Sequence, residues 1–231
     1  MTDFDVVIGF PYGLWLAAIK AEGFSRYIYH SGCTLGATTL DAAEYPVLFG
    51  TTETRSANLA PFAKWNGVLD RYFDEVKLGD DGCQATSFNA CHLKEWSAFL
   101  AGLKEYDPLV QLDLVNRYMN ESPYITDPRN YHTKDYWATP GQFFNQDGDC
   151  EDYAIAKFMS LRALGWSNQD MRIVLLQDLN LKTPHAVLVA YRGGTAWVLD
   201  NQIMQVVTAD VIHHYRPLFS LNEDSWWLHR Q

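Results

Sequence analysis

The chain has 231 residues, of which 48% are hydrophobic and 20% charged, the composition of a globular protein with one sizeable core or two small ones and not of a disordered segment. Its 18 basic and 28 acidic residues leave a net charge of −10. That balance argues against nonspecific binding to nucleic acid or an anionic membrane surface and is compatible with a cationic ligand, a metal included.

In chain order, Val6–Ile19 is the nearest approach to a secretory apolar segment, but Asp3 and Asp5 precede it where Lys or Arg is expected. No window reaches the roughly 18 apolar residues that a membrane span requires. Residues 1–44 show no sustained helical period and are read as an N-terminal appendage or export segment, with 45–231 as the folded domain. From Asn58 the pattern turns helical, with Phe62, Trp65, Leu69, Tyr72, Phe73 and Val76 on one face. A second helix is predicted over His92–Leu103 with Leu93, Trp96, Phe99, Leu100 and Leu103 as its stripe. Asp107-Pro108, a capping acceptor before a proline, opens a third that carries Leu109, Leu112, Val115 and Met119. A long loop through Asp127-Pro128, Tyr136-Trp137 and Thr139-Pro140-Gly141 leads to Gly148-Asp149-Cys150-Glu151-Asp152-Tyr153-Ala154. This stretch starts a fourth helix, which Gly165 ends.

Beyond Gly165 the period changes to two. Arg172–Leu176, His185–Tyr191 and Ala196–Asp200 read as strands, the last two joined through Gly193-Gly194 as a hairpin. Helices followed by strands make an α+β arrangement. With the glycine pair at the tip, His185 faces Gln202 and has Asp200 as its diagonal neighbour, within side-chain reach. The hairpin therefore brings an imidazole and a carboxylate to one end of a sheet. Cys150, at the start of a helix packed on that sheet, is the third member of a nucleophile, base and orienting-group set. The four cysteines have no zinc spacing; in an exported protein Cys83 and Cys91 could pair.

"GDCEDYAIAKFMSLRALG", "HAVLVAY" and "WVLDN" resemble the bacterial transglutaminase-like cysteine proteinases, and the likeness runs from about Tyr45 to Trp227. The resemblance implies a papain/transglutaminase-like fold with Cys150 as nucleophile, His185 as base and Asp200 holding the imidazole. It also implies a calcium site on Asp149, Glu151 and Asp152, a periplasmic location, and a large surface adhesin as substrate, cut in its N-terminal region to control biofilm attachment. The implied partner is an inner-membrane cyclic di-GMP receptor of the LapD type. Tyr136 and Trp137, just upstream of the nucleophile, are candidate substrate-binding residues. A transglutaminase or amidase using the same triad, and a noncatalytic calcium-binding interaction module, are the alternatives.

The acidic residues pose a physical question. A helix N-terminus favours a thiolate, whereas nearby carboxylates oppose it. A hard divalent cation with oxygen ligands would remove the conflict.

Overall fold

The structure, a computed structural model, describes residues 45–78 and 90–231. The expectations for residues 1–44 and for a Cys83–Cys91 bridge lie outside the described residues.

Gly193 and Gly194 both have positive φ, 60° and 73°, the conformation of a two-residue turn that matches strand twist. It joins β3 (Thr183–Arg192) to β4 (Thr195–Leu199) in the register read from the sequence, with Arg192 opposite Thr195 and Leu188 opposite Leu199. β2 (Met171–Asp178) pairs with the other edge of β3. Among the described residues the sheet has seven antiparallel strands in the order β1-β7-β6-β2-β3-β4-β5, with β1 at Thr52–Ser56, β5 at Val207–Thr208, β6 at Tyr215–Leu221 and β7 at Trp226–Arg230. β1, β5, β6 and β7 were not among the predicted strands.

The helices are α1 (Ala63–Leu78), α2 (Ala90–Leu103), α3 (Pro108–Asn120), α4 (Asp127–Asn130), α5 (Pro140–Gln146) and α6 (Cys150–Ala163). α4 and α5 break the expected long loop. Each carries proline in its first turn, where the missing N–H costs nothing. In α3 the inward face is Gln111, Leu112, Val115, Asn116 and Met119, while Leu109 lies outside at 43% exposure. Leu112, Val115 and Met119 of the predicted stripe are thus inside and Leu109 is not, and two amides complete the inward face.

α6 is buried from Asp152 to Leu161. It lies against β3 and β2 on one side and against α3 and α5 on the other, so it is a central element covered all round and not an amphipathic surface helix. Its end is a Schellman arrangement: Gly165 has φ of 94°, Gly165 N–H donates to Arg162 O at 3.1 Å and Trp166 N–H to Leu161 O at 3.0 Å. Alternate residues of the sheet face the other way. Val174, Leu176, Val187, Val189, Tyr191 and Val198 pack there with Leu48, Ala209, Ile212 and Tyr215.

Several tryptophans are core residues with satisfied donors. Trp65 Nε1 donates to Asn222 O, Trp96 Nε1 to Ser160 Oγ and Trp166 Nε1 to Gln111 Oε1, each at 2.9 Å. The fold class expected from the sequence, helices with an antiparallel sheet and a central cysteine-bearing helix, is the one observed.

Candidate active site

β3 and β4 run out at the end of the sheet where His185 and Asp200 stand. His185 Nε2 lies 2.9 Å from Asp200 Oδ1, and both side chains are buried. Asp200 Oδ1 also accepts from the Gln202 N–H at 2.9 Å, and Oδ2 from the Tyr215 hydroxyl at 2.5 Å. Burial pushes the Asp200 carboxyl up, but the His185 contact and the other two donors outweigh it and hold the group below the ordinary carboxylate range. An ionised Asp200 fixes the ring by one nitrogen and leaves Nδ1, 3.4 Å from Gln202 Nε2, on the other side.

Cys150 is the first residue of α6 and is half-buried. The main chain at Ala186, one residue along from His185, favours the thiolate. The thiol donates to Glu151 Oε2 at 3.1 Å. Burial first, then the Glu151 and Asp149 carboxylates, push the thiol well above its ordinary value. The conflict read from the sequence is thus present in the structure: without a counter-charge the acids keep sulfur protonated.

Gly148 explains how the acids fold over the helix start. A Cβ placed on it would lie 2.4 Å from Asp152 Oδ2, so only glycine admits the Asp152 side chain reaching back to accept the Asp149 N–H at 3.1 Å. Asp152 Oδ1 accepts from Ala138 N–H at 2.7 Å, and Asp127 Oδ2 from Tyr136 N–H at 2.5 Å. The loop over 136–138 is in turn held by α1. Arg71 Nη2 donates to Trp137 O at 2.5 Å and stands 5.0 Å over the Tyr136 ring, and Thr139 donates to Glu75.

A model of the bacterial transglutaminase-like cysteine proteinases matches residues 82–228, more than half of the chain. The chain belongs to this family. Solved structures of Legionella pneumophila LapG are similar to this proteinase at 26% identity. The calcium-bound form has a TM-score of 0.57 and the likeness covers 71% of this chain and 86% of that one; the EGTA-treated form has a TM-score of 0.57 over 72% and 86%. None of the curated proteins matches.

In this proteinase Asp127, Asp149 and Asp152 offer carboxylate oxygens within 4.8 Å of one another, and Asp127, Asp135 and Glu151 form an overlapping set. Burial is the main reason that the carboxyls of Asp127, Asp149, Glu151 and Asp152 are all pushed up. Buried Asp127 Oδ1 and Asp149 Oδ1 have no hydrogen-bond partner. Four crowded carboxyls with two unpaired oxygens fit a hard divalent cation.

Sequence reasoning left Asp127 and Asp135 out of this set. Asp127-Pro128, an acid before a proline, is the signal in the sequence, since Asp127 is the first residue of α4. Of the proposed substrate pair, Trp137 is buried at 8% exposure and Tyr136 half-buried. The Tyr136 N–H holds the Asp127 carboxylate, while Trp137 O accepts from Arg71. Tyr124, by contrast, is 55% exposed and forms a main-chain bridge with Gly148, two residues before Cys150.

Proposed function

We propose that Cys150, His185 and Asp200 are the nucleophile, base and orienting group of this cysteine proteinase, and that calcium bound by Asp149, Glu151 and Asp152, with Asp127, organises the cysteine. The observation that carries this reading is the buried His185–Asp200 contact of 2.9 Å beside a helix that begins at Cys150. Asp200 engages Nε2, so Nδ1 is the nitrogen that takes the thiol proton as sulfur attacks the scissile carbonyl. The imidazolium then protonates the leaving amine, and a water molecule activated by the same nitrogen resolves the acyl-enzyme. The Cys150 N–H, unpaired by position at the first turn of α6, is directed to the oxyanion. When bound, calcium supplies positive charge that offsets the carboxylates and lets the helix N-terminus favour the thiolate.

The likeness to calcium-bound and EGTA-treated LapG supports the metal. The wider reading belongs to the same proposal and rests on the resemblance read from the sequence: a periplasmic enzyme that cuts the N-terminal region of a large surface adhesin, restrained by an inner-membrane cyclic di-GMP receptor of the LapD type, so that biofilm attachment is controlled. No helix among the described residues is long and apolar enough to cross a membrane.

The test is the rate of Cys150 alkylation by iodoacetamide across a pH series, with calcium and with chelator, read by peptide mass spectrometry. Calcium should move the labelling curve to lower pH, and His185→Ala should remove the reactivity. Labelling that ignores both would overturn the assignment. Incubation with a peptide and an excess amine separates hydrolysis from transamidation by the mass of the product.

A further inference from the structure

Each half of the proposed nucleophile and base couple is engaged elsewhere in the structure. The Cys150 thiol donates to Glu151 Oε2 at 3.1 Å, and His185 Nδ1, the nitrogen that takes the thiol proton, has the Gln202 amide nitrogen at 3.4 Å. The ring explains why the amide presents its nitrogen there and not its oxygen. Asp200 Oδ1 accepts at His185 Nε2, so a neutral imidazole carries its proton on Nε2 and offers a lone pair at Nδ1, which only a donor can meet.

Gln202 is tied to the triad at its root. Its N–H donates to Asp200 Oδ1 at 2.9 Å, closing a turn directly after β4. Asn120 Nδ2 donates to Asp200 O at 2.8 Å on one side of it, and Asn116 Nδ2 to Ile203 O at 3.0 Å on the other. The main chain is therefore pinned around Gln202, whereas the residue itself is exposed. What can move is the side chain.

That side chain stands in the way of the chemistry. A ring nitrogen has one lone pair, in the plane of the ring, so the amide and the thiol cannot both donate to Nδ1. The amide must let go before the proton can pass from sulfur to Nδ1. A donor released from its partner needs another acceptor, and the acceptors that every peptide brings, whatever its side chains, are its main-chain carbonyls.

We propose that Gln202 couples peptide binding to the base: its amide caps His185 Nδ1 until a main-chain carbonyl of the bound peptide takes it over, which frees the lone pair for the Cys150 proton. The inference rests on the triad reading above. It gives Gln202 a part in recognising the peptide main chain and makes the base available only when a substrate is in place.

The experiment compares the wild type with Gln202→Met, which keeps the length of the side chain and removes the donor, both saturated with calcium and at one pH. Because Gln202 is exposed, the circular dichroism should be unchanged. Without peptide, Cys150 alkylation by iodoacetamide should be at least twofold faster in Gln202→Met, since a hydrogen bond no longer competes for Nδ1. With a peptide that the wild type cleaves, KM should rise at least threefold, since the carbonyl has lost its donor. A variant that merely disturbs the fold would slow both reactions. Nitrogen NMR of ring-labelled histidine reads the cap directly: the His185 Nδ1 resonance, assigned by its loss in His185→Ala, should move in Gln202→Met towards that of an acceptor nitrogen without a donor. An Nδ1 resonance common to both proteins, an alkylation rate that stays or falls, or an unchanged KM each overturns the proposal. If His185→Ala leaves Cys150 alkylation at the wild-type rate, it is the triad reading that fails, an outcome that no Gln202 variant can produce.

Discussion

Tyr215 shows how much of this site depends on single atoms. Its hydroxyl donates to Asp200 Oδ2 at 2.5 Å from β6, a strand remote in sequence from the hairpin. Tyr215→Phe removes a bond to a charged group, worth about 1.5–3 kcal/mol, without opening a cavity. The expected result is a kcat lower by about tenfold, equivalent to about 1.4 kcal/mol, with KM little changed; a wild-type kcat would mean that His185 and Gln202 suffice to hold Asp200. Gly148 is a second such point. Gly148→Ala puts a methyl 2.4 Å from Asp152 Oδ2, and the carboxylate must leave. Calcium affinity by isothermal titration should fall at least tenfold while the circular dichroism is kept. An unchanged affinity would move the metal away from Asp152. Neither residue stood out in the sequence, since Tyr215 had no pattern tying it to Asp200, and Gly148 read as an ordinary helix-start residue.

At the level of elements, what was legible followed from local rules. The glycine pair with its flanking alternation set the β3–β4 register, and Asp107-Pro108 and Gly165 marked helix ends because capping is encoded within a few residues. What was not legible depends on pairings distant in sequence. β1 joins β7 with Thr52 opposite Arg230, and nothing in five residues of the sequence Thr-Glu-Thr-Arg-Ser announces that partner. α3 was predicted with its apolar stripe inward, yet Asn116 and Gln111 are buried with it. Their reason is the loop after β4 and the end of α2: Gln111 Nε2 donates to Leu103 O at 3.0 Å, as Asn116 and Asn120 do to the Asp200 loop. α3 is thus a strut that positions a catalytic loop as well as a core helix. Asn120→Ala and Asn116→Ala each leave buried carbonyls short of a donor, at about 1–3 kcal/mol, so Tm should fall by roughly 2–12 °C. Because Asn120 holds Asp200 itself, its loss should lower kcat as well, whereas Asn116, which holds carbonyls three and four residues further along the loop, should cost mainly stability. Equal kcat in both variants would reduce α3 to a packing element.

Across the whole molecule the acidic cluster sets how stability answers to pH and metal. The carboxyls of Asp127, Asp149, Glu151 and Asp152 all titrate above their ordinary values in the folded protein, chiefly through burial, with Asp149 pushed up to about 8. In the unfolded chain the same groups ionise near 4. Between about pH 4 and pH 8 the native state therefore binds more protons than the unfolded one, and stability must fall as pH rises through that window. At acid pH the cluster is protonated and tolerated; at neutral pH its charges oppose one another unless a cation joins them. A chelated sample should lose Tm steadily from pH 5 to pH 8. Calcium at one hundred times its dissociation constant should restore about 2.7 kcal/mol, or about 5–10 °C, at pH 8 and much less at pH 5, where protons occupy the same oxygens. The measurement is differential scanning fluorimetry at both pH values, with calcium and with chelator. A Tm that is flat with pH in chelator and indifferent to calcium would mean that the cluster ionises unopposed, and would separate the metal from the thiol it is proposed to release.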